Sequence, residues 1–236
     1  MDTLAARPAV SIVIPVLDEA EAVVARLGAL APLRAAGAEL VLVDGGSADR
    51  TLALAAPHAD IAIAAPRGRA RQMNAGAVVA RGGVLIFLHA DTLPPSDAIA
   101  CVQRALADSR RVWGRFDVRI VGAHPLLPAV ATLMNLRSRM TGIATGDQAL
   151  FVTRPAFERA GGFPDIPLME DIALSKALKR LSRPACLTAK VSTSGRRWDK
   201  NGFWRTIFLM WRLRLAYFFG ADPARLARAY GYAPDA

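Results

Sequence analysis

The chain has 236 residues and a mass of 25.2 kDa, with 53% hydrophobic and 21% charged residues. This composition excludes a disordered, collagen-like or low-complexity protein, and the length favours one domain with a sizeable core. The net charge is +10 and the pI is near 10.7, a balance typical of proteins that meet nucleic acid, a membrane surface or anionic substrates.

The positive charge is concentrated in the second half of the chain. Residues 121–236 contain 17 Lys and Arg against 8 Asp and Glu, whereas residues 1–120 contain 13 Arg against 12 acidic residues. Between Lys190 and Arg228 the basic residues are interleaved with eight of the sixteen aromatic residues. This basic, aromatic segment requires an explanation of its own.

The cysteines and the amino terminus indicate the compartment. Cys101 and Cys186 are the only cysteines and have no CxxC spacing, which argues against a disulfide framework or a structural zinc site. The first apolar run, Val10 to Leu17, contains Pro15 and lacks the basic start and cleavage site of a signal peptide. We therefore expect a cytoplasmic protein.

The first half of the chain alternates strand and helix patterns. Short apolar, β-branched runs predict buried strands at Ser11–Val16, Leu40–Asp44 and Val84–Leu88. Helical spacing predicts helices at Glu19–Ala31, Ser47–Ala56 and Arg69–Ala80, with Ser47 as an N-cap. This order predicts an α/β fold with a mostly parallel sheet flanked by helices.

The pattern is looser after Pro94 and gives no sign of a second globular domain. We predict helices at Ser96–Asp108, Leu126–Met140 and Glu170–Leu181, another helix opened by Pro155, and extended segments at Arg115–Val121 and Gln148–Thr153.

Polar residues follow the predicted strands, where parallel sheets bind ligands. Asp44, Gly45 and Ser47 lie between a strand and a helix, so the turn can receive an anion or a nucleotide edge, or it can be a plain capped turn. The chain contains no GxGxxG fingerprint and no Walker A loop.

His89 and Asp91 follow the third predicted strand. At that spacing both side chains project to the same side of an extended segment. A divalent cation that bridges a diphosphate needs only one or two carboxylates, so the pair can hold a metal, or it can be a solvated strand end.

Taken together, these motifs resemble the family 2 glycosyltransferases with the GT-A fold. The resemblance covers about residues 10–200 and rests on five motifs in order: Ser11–Pro15 with Glu19, Val43–Ser47 with Asp49 and Thr51, Asn74–Gly76, His89–Asp91, and Met169–Asp171. The stretches Gly68–Gly76, Gly161–Pro164 and Ser194–Trp198 are most similar to a small bacterial branch named radical-SAM/selenodomain-associated.

The resemblance implies roles for the donor site. Asp44 would bind the nucleotide base, and Gly45, Ser47 and the segment with Pro15, Val16 and Glu19 would line the same pocket. Asp91 matches the last carboxylate of the family's DxD motif, which holds Mg²⁺ or Mn²⁺ against the diphosphate. His89 replaces the first Asp of that motif, and this softer ligand favours Mn²⁺.

The resemblance also implies roles in catalysis and acceptor binding. Glu170 and Asp171 match the family's ED pair, in which Asp171 would be the catalytic base of an inverting transfer. Arg197 and Trp198 match the end of a QxxRW motif whose Gln is replaced by Ser194, which favours transfer of one sugar over polymer synthesis.

Phosphate contacts can come from the segment before the third strand. Arg69 and Arg71 suit phosphate oxygens because guanidinium donors form a rigid fork, and Asn74 lies in the same motif. A solvated basic helix face is the alternative for either arginine.

The segment Phe203–Phe219 contains seven of the sixteen aromatic residues together with Arg205, Arg212 and Arg214. It is too short and too charged to span a membrane, and it is either an interfacial helix on anionic lipid or a helix packed in the core. We divide the chain into a GT-A domain, 1–200, and a helical extension, 201–236.

The sequence therefore predicts a metal-assisted transferase that uses a nucleotide sugar, with a UDP-sugar favoured, and a hydroxyl acceptor that is soluble or lipid-linked. Peripheral contact with the inner face of the cell membrane is compatible with this prediction, and nucleic acid is not expected. A nucleotidyltransferase-like enzyme is the first alternative, although the phosphate loop that it needs is missing. A non-catalytic protein that binds membrane or nucleic acid is the second, but it leaves the acidic strand ends unexplained.

Overall fold

The computed structural model describes residues 9–107 and 110–232, and one curved sheet organises them. The described residues form eight strands: β1 Val10–Val16, β2 Ala38–Asp44, β3 Ile61–Ala64, β4 Val84–Phe87, β5 Thr92–Leu93, β6 Trp113–Val121, β7 Leu150–Thr153 and β8 Ala185–Ser194.

Helices pack on the sheet, and the last three follow its last strand, β8, in the chain. In the described residues they are α1 Val23–Ala29, α2 Ala31–Ala35, α3 Thr51–Ala55, α4 Arg69–Val79, α5 Ala98–Ala107, α6 Leu127–Thr141, α7 Arg154–Arg159, α8 Glu170–Lys179, α9 Arg196–Asn201, α10 Phe203–Phe218 and α11 Pro223–Tyr230.

The sheet has a parallel half and a mixed half. The strand order is β3-β2-β1-β4-β7-β6-β8-β5, and the first four strands are parallel to one another. β7 is antiparallel to β4 and β6, β8 is parallel to β6, and β5 is antiparallel to β8. The predicted α/β class, with helices on a sheet, is confirmed, and three of the four parallel strands, β1, β2 and β4, are those that the sequence identified.

Strands β1, β2 and β4 of the parallel half are buried on both faces. Ile12 and Leu40 belong to one apolar layer, whereas the neighbouring Val13 and Val41 belong to the layer on the opposite face. Two-sided burial explains why these strands are continuous apolar runs without a polar alternation. It also directs the polar residues of this half to the strand ends.

Two helices start later than predicted because their first residues belong to interlocked loops. The backbone N–H groups of Asp18 and Glu19 donate to the hydroxyls of Ser47 and Thr51, at 2.9 and 2.8 Å. The expected helix Glu19–Ala31 is therefore two helices, α1 and α2. Ser47 is not an N-cap, since α3 begins only at Thr51.

The later elements follow the predictions closely. Helices α5, α6 and α8 and strands β6 and β7 correspond to predicted segments, and Pro155 lies in the first turn of α7. The predicted end of one helix, Asp108, lies outside the described residues. Three strands of the sheet, β3, β5 and β8, were not predicted.

Helix α10 has one buried face and one exposed apolar face. Phe203, Thr206 and Leu213 are buried. Side chains that are 60% to 77% exposed form a continuous stripe: Trp204, Phe208, Trp211, Leu215, Phe218 and the following Phe219. One face of this segment therefore packs in the core, and the interfacial interpretation concerns the other face.

Three arginines border this aromatic stripe. At about 100° per residue, Arg205 and Arg212 lie on one flank of the stripe and Arg214 lies on the other. The exposed face of α10 is thus apolar in the middle and basic at both edges. None of the helices in the described ranges is both long enough and apolar enough to cross a bilayer.

Candidate active site

The carboxyl ends of β1 and β4, the amino end of α8 and the helices α10 and α11 surround a cavity of about 380 Å³. Ten of the predicted site residues line it: Pro15, Val16, Glu19, Arg69, His89, Asp91, Glu170, Asp171, Arg197 and Trp198. The other five lie outside its lining: Asp44, Gly45, Ser47, Arg71 and Asn74. The cavity brings together residues from both halves of the sheet.

Asp44 organises the turn that follows β2. Its buried carboxylate accepts hydrogen bonds from the backbone N–H groups of Gly46 and Ser47, at 3.0 and 2.9 Å, and from the Ser47 hydroxyl. Three of about four acceptor positions on the carboxylate are thus satisfied within the turn. Asp44 fixes the turn and keeps limited capacity for a ligand.

Gln72 ties α4 to the carboxyl ends of β1 and β2. Its buried amide donates to the carbonyl oxygens of Val16 and Val43, both at 2.9 Å. A Cβ atom on Gly45 would approach this amide to 2.9 Å, so the turn needs glycine there for close contact. Gln72 lies within the stretch Gly68–Gly76, but sequence reasoning assigned it no role because the stretch does not show which of its side chains reaches the sheet.

Arg71 and Asn74 face the loop before α8. Arg71 Nε donates to the Asp165 carboxylate at 2.9 Å. Asn74 donates to the carbonyl of Phe163 at 2.8 Å and accepts from its N–H at 2.9 Å. Both side chains therefore hold the segment that leads to Glu170 and Asp171.

His89 and Asp91 enter the cavity after β4, and an unpredicted carboxylate joins them. His89 Nδ1 lies 3.3 Å from a carboxylate oxygen of Asp147, which also lines the cavity. Burial alone would raise the pKa of Asp147, but the hydrogen bond and charge of His89, with Arg69 and Arg197, lower it. A Cβ on Gly146 would overlap the His89 ring, so only glycine permits this approach.

Glu170 and Asp171 begin α8 after a residue in the left-handed region. Met169 has φ of 73°, an uncommon value for a residue with a side chain, and it turns the chain into the helix. Glu170 is buried and bonded to Arg69 at 3.1 Å. Asp171 accepts the N–H of Gly146 at 2.8 Å. Burial and the charge of Glu170 raise the pKa of Asp171 to about 6.

Arg197 and Trp198 are held by the carboxy-terminal helices. The Arg197 guanidinium lies 3.5 Å from the centre of the Tyr230 ring and donates to the Tyr230 carbonyl at 2.9 Å. Trp198 is buried, and its ring packs against Phe203 at 5.7 Å. Tyr230, Tyr232 and Arg214 complete this side of the cavity.

The acidic residues fit a metal that shares its coordination with a ligand. No three His, Cys, Asp or Glu side chains of the described residues converge as a ready-made metal site. The Asp91 carboxylate accepts a long 3.4 Å bond from the Thr92 hydroxyl, which leaves it capacity for a cation. Asp91 and a bound diphosphate would together supply oxygen ligands of the kind that Mg²⁺ or Mn²⁺ requires.

Comparison with known families gives one match. Residues 11–154 match the sequence profile described as Glycosyl transferase family 2. No curated protein is significantly similar to the chain.

Solved structures share the fold at low sequence identity. The chain is 16% identical to S. aureus TarS 1–349 in complex with UDP-GlcNAc, with a TM-score of 0.64 over 78% of this chain and 58% of that chain. It is 22% identical to the mannosyltransferase PcManGT from Pyrobaculum calidifontis, in complex with GDP-Man and Mn²⁺, with a TM-score of 0.62 over 96% and 70%.

A third structure is glucosyl-3-phosphoglycerate synthase from Mycobacterium tuberculosis in complex with Mn²⁺, UDP and glucosyl-3-phosphoglycerate. It is 18% identical, with a TM-score of 0.61 over 98% of this chain and 82% of that chain. The chain spans about 60% of the length of the TarS fragment. At these identities the likeness establishes the GT-A fold.

Proposed function

The chain belongs to glycosyltransferase family 2, and from this membership we propose that it transfers a single sugar from a nucleotide sugar to a hydroxyl acceptor. One observation carries the proposal: a single cavity contains Asp91 at the end of β4 and Asp171 at the start of α8. The first suits a diphosphate with its metal, and the second suits a hydroxyl that must lose a proton. We favour a UDP-sugar because TarS and the mycobacterial synthase were crystallised with UDP or UDP-GlcNAc.

The donor would occupy the end of the cavity at the parallel half of the sheet. Pro15, Val16 and Glu19 line that end, and Asp44 with Gly45 and Ser47 would shape the turn beside the base. Arg69 and Arg197 line the cavity and would attract the diphosphate. Arg71 and Asn74 would act indirectly, because they hold the loop that leads to Glu170 and Asp171.

The proposed chemistry is a displacement with inversion. The acceptor oxygen forms a bond to the anomeric carbon while the bond from that carbon to the diphosphate oxygen breaks. The hydroxyl proton passes to the Asp171 carboxylate, and the nucleoside diphosphate leaves with the bonding electrons. A pKa of about 6 suits a general base at neutral pH, because the group is ionised there and still basic.

A divalent cation, Mn²⁺ or Mg²⁺, would neutralise charge on the departing diphosphate when bound. Asp91 would be its principal protein ligand. His89 would assist, and its hydrogen bond to Asp147 would orient the ring. PcManGT and the mycobacterial synthase were crystallised with Mn²⁺, which supports this assignment.

We further propose that the protein docks on an anionic membrane surface through α10. The aromatic stripe would enter the interface while Arg205, Arg212 and Arg214 meet lipid phosphates at its flanks. We retain residues 1–200 as the transferase domain and 201–236 as a helical extension that serves this docking. Because α10 also lines the cavity through Met210 and Leu213, docking would bring a lipid-linked acceptor to the catalytic centre.

A thermal-shift screen of nucleoside diphosphates with and without Mn²⁺ tests the donor assignment. A ligand at 100 times its Kd stabilises a protein by about 2.7 kcal/mol, which is readily measured. We expect stabilisation by UDP that depends on Mn²⁺, and release of UDP from a UDP-sugar on longer incubation. The proposal is wrong if no nucleoside diphosphate stabilises the protein in the presence of either metal.

A further inference from the structure

Helix α10 contributes a cation to the wall of the active-site cavity. Met210, Leu213 and Arg214 all line the cavity, and Arg214 is the charged member of this set. Arg214 is half-buried, whereas Arg205 and Arg212, on the other flank of the aromatic stripe, are exposed and do not line the cavity. Arg214 therefore has a different environment from the other two arginines of α10.

The other basic side chains of the cavity wall are held by the protein. Three of them in the described residues line the cavity, and each pairs with a carboxylate or a carbonyl of the fold: Arg69 with Glu170, His89 with Asp147, and Arg197 with Tyr230. By contrast, no hydrogen bond or ion pair of Arg214 is observed within residues 9–107 and 110–232. A guanidinium that lines a cavity without such a partner is available to an anionic ligand.

The wall next to Arg214 extends to the mixed half of the sheet. Met210, one helical turn before Arg214, packs against the buried cluster that contains Ile120 of β6 and Met134 of α6. Ile120 and Met134 also line the cavity. The proposed donor end lies instead at β1 and β4, in the parallel half. Arg214 thus belongs to the part of the wall that the proposed donor leaves for the acceptor.

Helix α10 also packs beside the proposed catalytic base. Leu213, the residue before Arg214, belongs to a buried cluster with Met169 and Ile172, and Asp171 lies between these two residues in the chain. Both Arg214 and Asp171 line the same cavity. A single acceptor molecule can therefore bind the guanidinium through an anionic group and present a hydroxyl to the base.

We propose that Arg214 binds a phosphate group of the acceptor, in the cavity where Asp171 accepts the proton of the acceptor hydroxyl. This inference rests on the proposed transferase function and adds the class of its acceptor. The guanidinium presents parallel N–H groups in a rigid fork, which match two oxygens of a phosphate. Arg214 also borders the aromatic stripe, which we assign to a membrane surface whose anionic groups are phosphates.

The phosphate can belong to a lipid or to a soluble ester, because both carry the group that Arg214 would recognise. Met210 and Leu213 adjoin Arg214 in the cavity wall, and their apolar side chains suit an acyl chain as well as the carbon chain of a small ester. The test therefore contains one arm for each source.

Two variants separate the charge of Arg214 from its fork. Arg214→Gln removes both, and Arg214→Lys keeps the charge alone. Arg212→Gln is the matched control, because it removes one charge from the same helix without a change in the cavity wall. Calorimetry first measures the affinity of each protein for UDP in the presence of Mn²⁺, and we expect equal values in all four proteins. Each protein is then saturated with UDP and Mn²⁺, which fills the donor site.

The soluble arm titrates glycerol 3-phosphate and follows the melting temperature. Wild type and Arg212→Gln should bind this ester equally well. Arg214→Gln should bind it about tenfold more weakly, and Arg214→Lys should give an intermediate value, because hydrogen bonds to charged groups are lost or rearranged.

The lipid arm compares sedimentation with phosphatidylcholine vesicles that contain either phosphatidic acid or an equal charge of phosphatidylserine. Wild type should prefer phosphatidic acid, whose phosphate is accessible as a monoester. Arg212→Gln should weaken binding to both lipids and keep this preference, whereas Arg214→Gln should remove the preference. A response to Arg214→Gln in either arm supports the inference and identifies the source of the phosphate.

Stability without ligand separates a binding role from a structural one. Arg214→Gln should melt at the temperature of wild type, because the substitution breaks no pairing observed in the described residues. A much lower melting temperature would show that Arg214 is required for folding and would overturn the inference.

Three binding results would also overturn the inference and leave the proposed function intact. The first is equal phosphate binding by wild type and Arg214→Gln in both arms, and the second is no phosphate binding by wild type in either arm. The third is weaker UDP binding by Arg214→Gln, which would assign Arg214 to the donor site. Failure of wild type to bind UDP with Mn²⁺ would instead contradict the proposed function itself.

Discussion

Two consecutive carboxylates at the start of α8 are held in different ways. Glu170 is buried and paired with Arg69, so its charge is compensated within the fold. Asp171 accepts two backbone N–H groups, from Gly146 and Ile172, and no ion pair with it is observed in the described residues. Burial and the charge of Glu170 raise the pKa of Asp171, and we assign the proton transfer to this residue.

We expect Asp171→Asn to retain nucleotide binding and to lose transfer. The amide preserves the shape of the side chain but cannot accept a proton, so kcat should fall by about 10²-fold or more with little change in donor affinity. In wild type the transfer rate should rise between about pH 5 and 7 as a group with a pKa of about 6 ionises. Transfer by the variant within tenfold of wild type would place the base elsewhere.

The same pKa shift predicts a pH dependence of stability. The folded protein keeps the Asp171 proton up to a pH of about 6, whereas the unfolded chain releases it near 3.8. The folded state is therefore favoured by this group at low pH, and that contribution is lost as the pH rises from about 4 to 6. The melting temperature of wild type should therefore decline across this window relative to that of Asp171→Asn, whose side chain does not titrate.

Asp91 and His89 should contribute unequally to nucleotide binding. Asp91→Ala removes the carboxylate at the end of β4 and should abolish the Mn²⁺-dependent stabilisation by UDP, while His89→Ala should weaken it less. Calorimetric titration of UDP in the presence of Mn²⁺ measures both effects. Equal affinity in wild type and Asp91→Ala would contradict the assignment of Asp91.

At the scale of elements, the contact between α4 and the sheet depends on one glycine. A Cβ on Gly76 would approach a methyl carbon of Val43 to 2.8 Å and would overlap Val13 more closely still. Helix α4 can therefore pack directly over β1 and β2. This contact places Arg69 and Gln72, one end of the same helix, at the cavity.

Gly76→Ala should destabilise the protein although alanine is the better helix former. The added methyl group overlaps buried branched side chains on two strands, which costs about 1–3 kcal/mol. Gly28→Ala on α1 is the matched control, because no atom lies within 4 Å of its added Cβ, and it should be neutral or stabilising by up to about 1 kcal/mol. Urea denaturation measures both values, and a Gly76→Ala protein as stable as Gly28→Ala would refute the packing argument.

At the scale of the whole molecule, the carboxy-terminal helices connect the cavity to the surface. Helix α10 contributes Met210 and Leu213 to the cavity and presents its aromatic stripe on the opposite face. Tyr230, at the end of α11, holds Arg197 in the cavity wall. A partner that covers the aromatic stripe would therefore lie on the outer side of a helix that forms part of the cavity wall.

We expect wild type to sediment with vesicles that contain anionic lipid, and this binding should fall as salt is added. Basic residues near an anionic surface contribute about 1 kcal/mol each, so changing Arg205, Arg212 and Arg214 to Gln should weaken binding sharply. The pair Arg205→Gln and Arg212→Gln should show part of this loss with the cavity unchanged.

Controls separate the stripe from the general positive charge of the protein. Arg50→Gln with Arg104→Gln removes two positive charges outside α10 and should leave vesicle binding close to wild type. Trp204→Ser with Trp211→Ser should weaken binding at every salt concentration, because the aromatic contribution is not screened. Wild type that stays in the supernatant at low salt would refute membrane docking.

The sequence by itself determined three of the four parallel strands and ten of the residues that line the cavity. Strands buried on both faces must be continuous apolar runs, so β1, β2 and β4 can be predicted without tertiary information. Polar residues that follow such strands meet at one edge of the sheet. That rule led to His89 and Asp91, and the family motifs added Glu170 and Asp171.

Only the tertiary structure decided which polar side chains pair with another residue of the protein and which can bind a ligand. His89 meets Asp147 across 58 positions and Arg69 meets Glu170 across 101, so neither pairing has a local signature. The two faces of α10 likewise depend on which elements pack alongside. Local sequence sets the backbone conformation and the direction of each side chain, but the partner of a buried charge is chosen by the packing of distant elements.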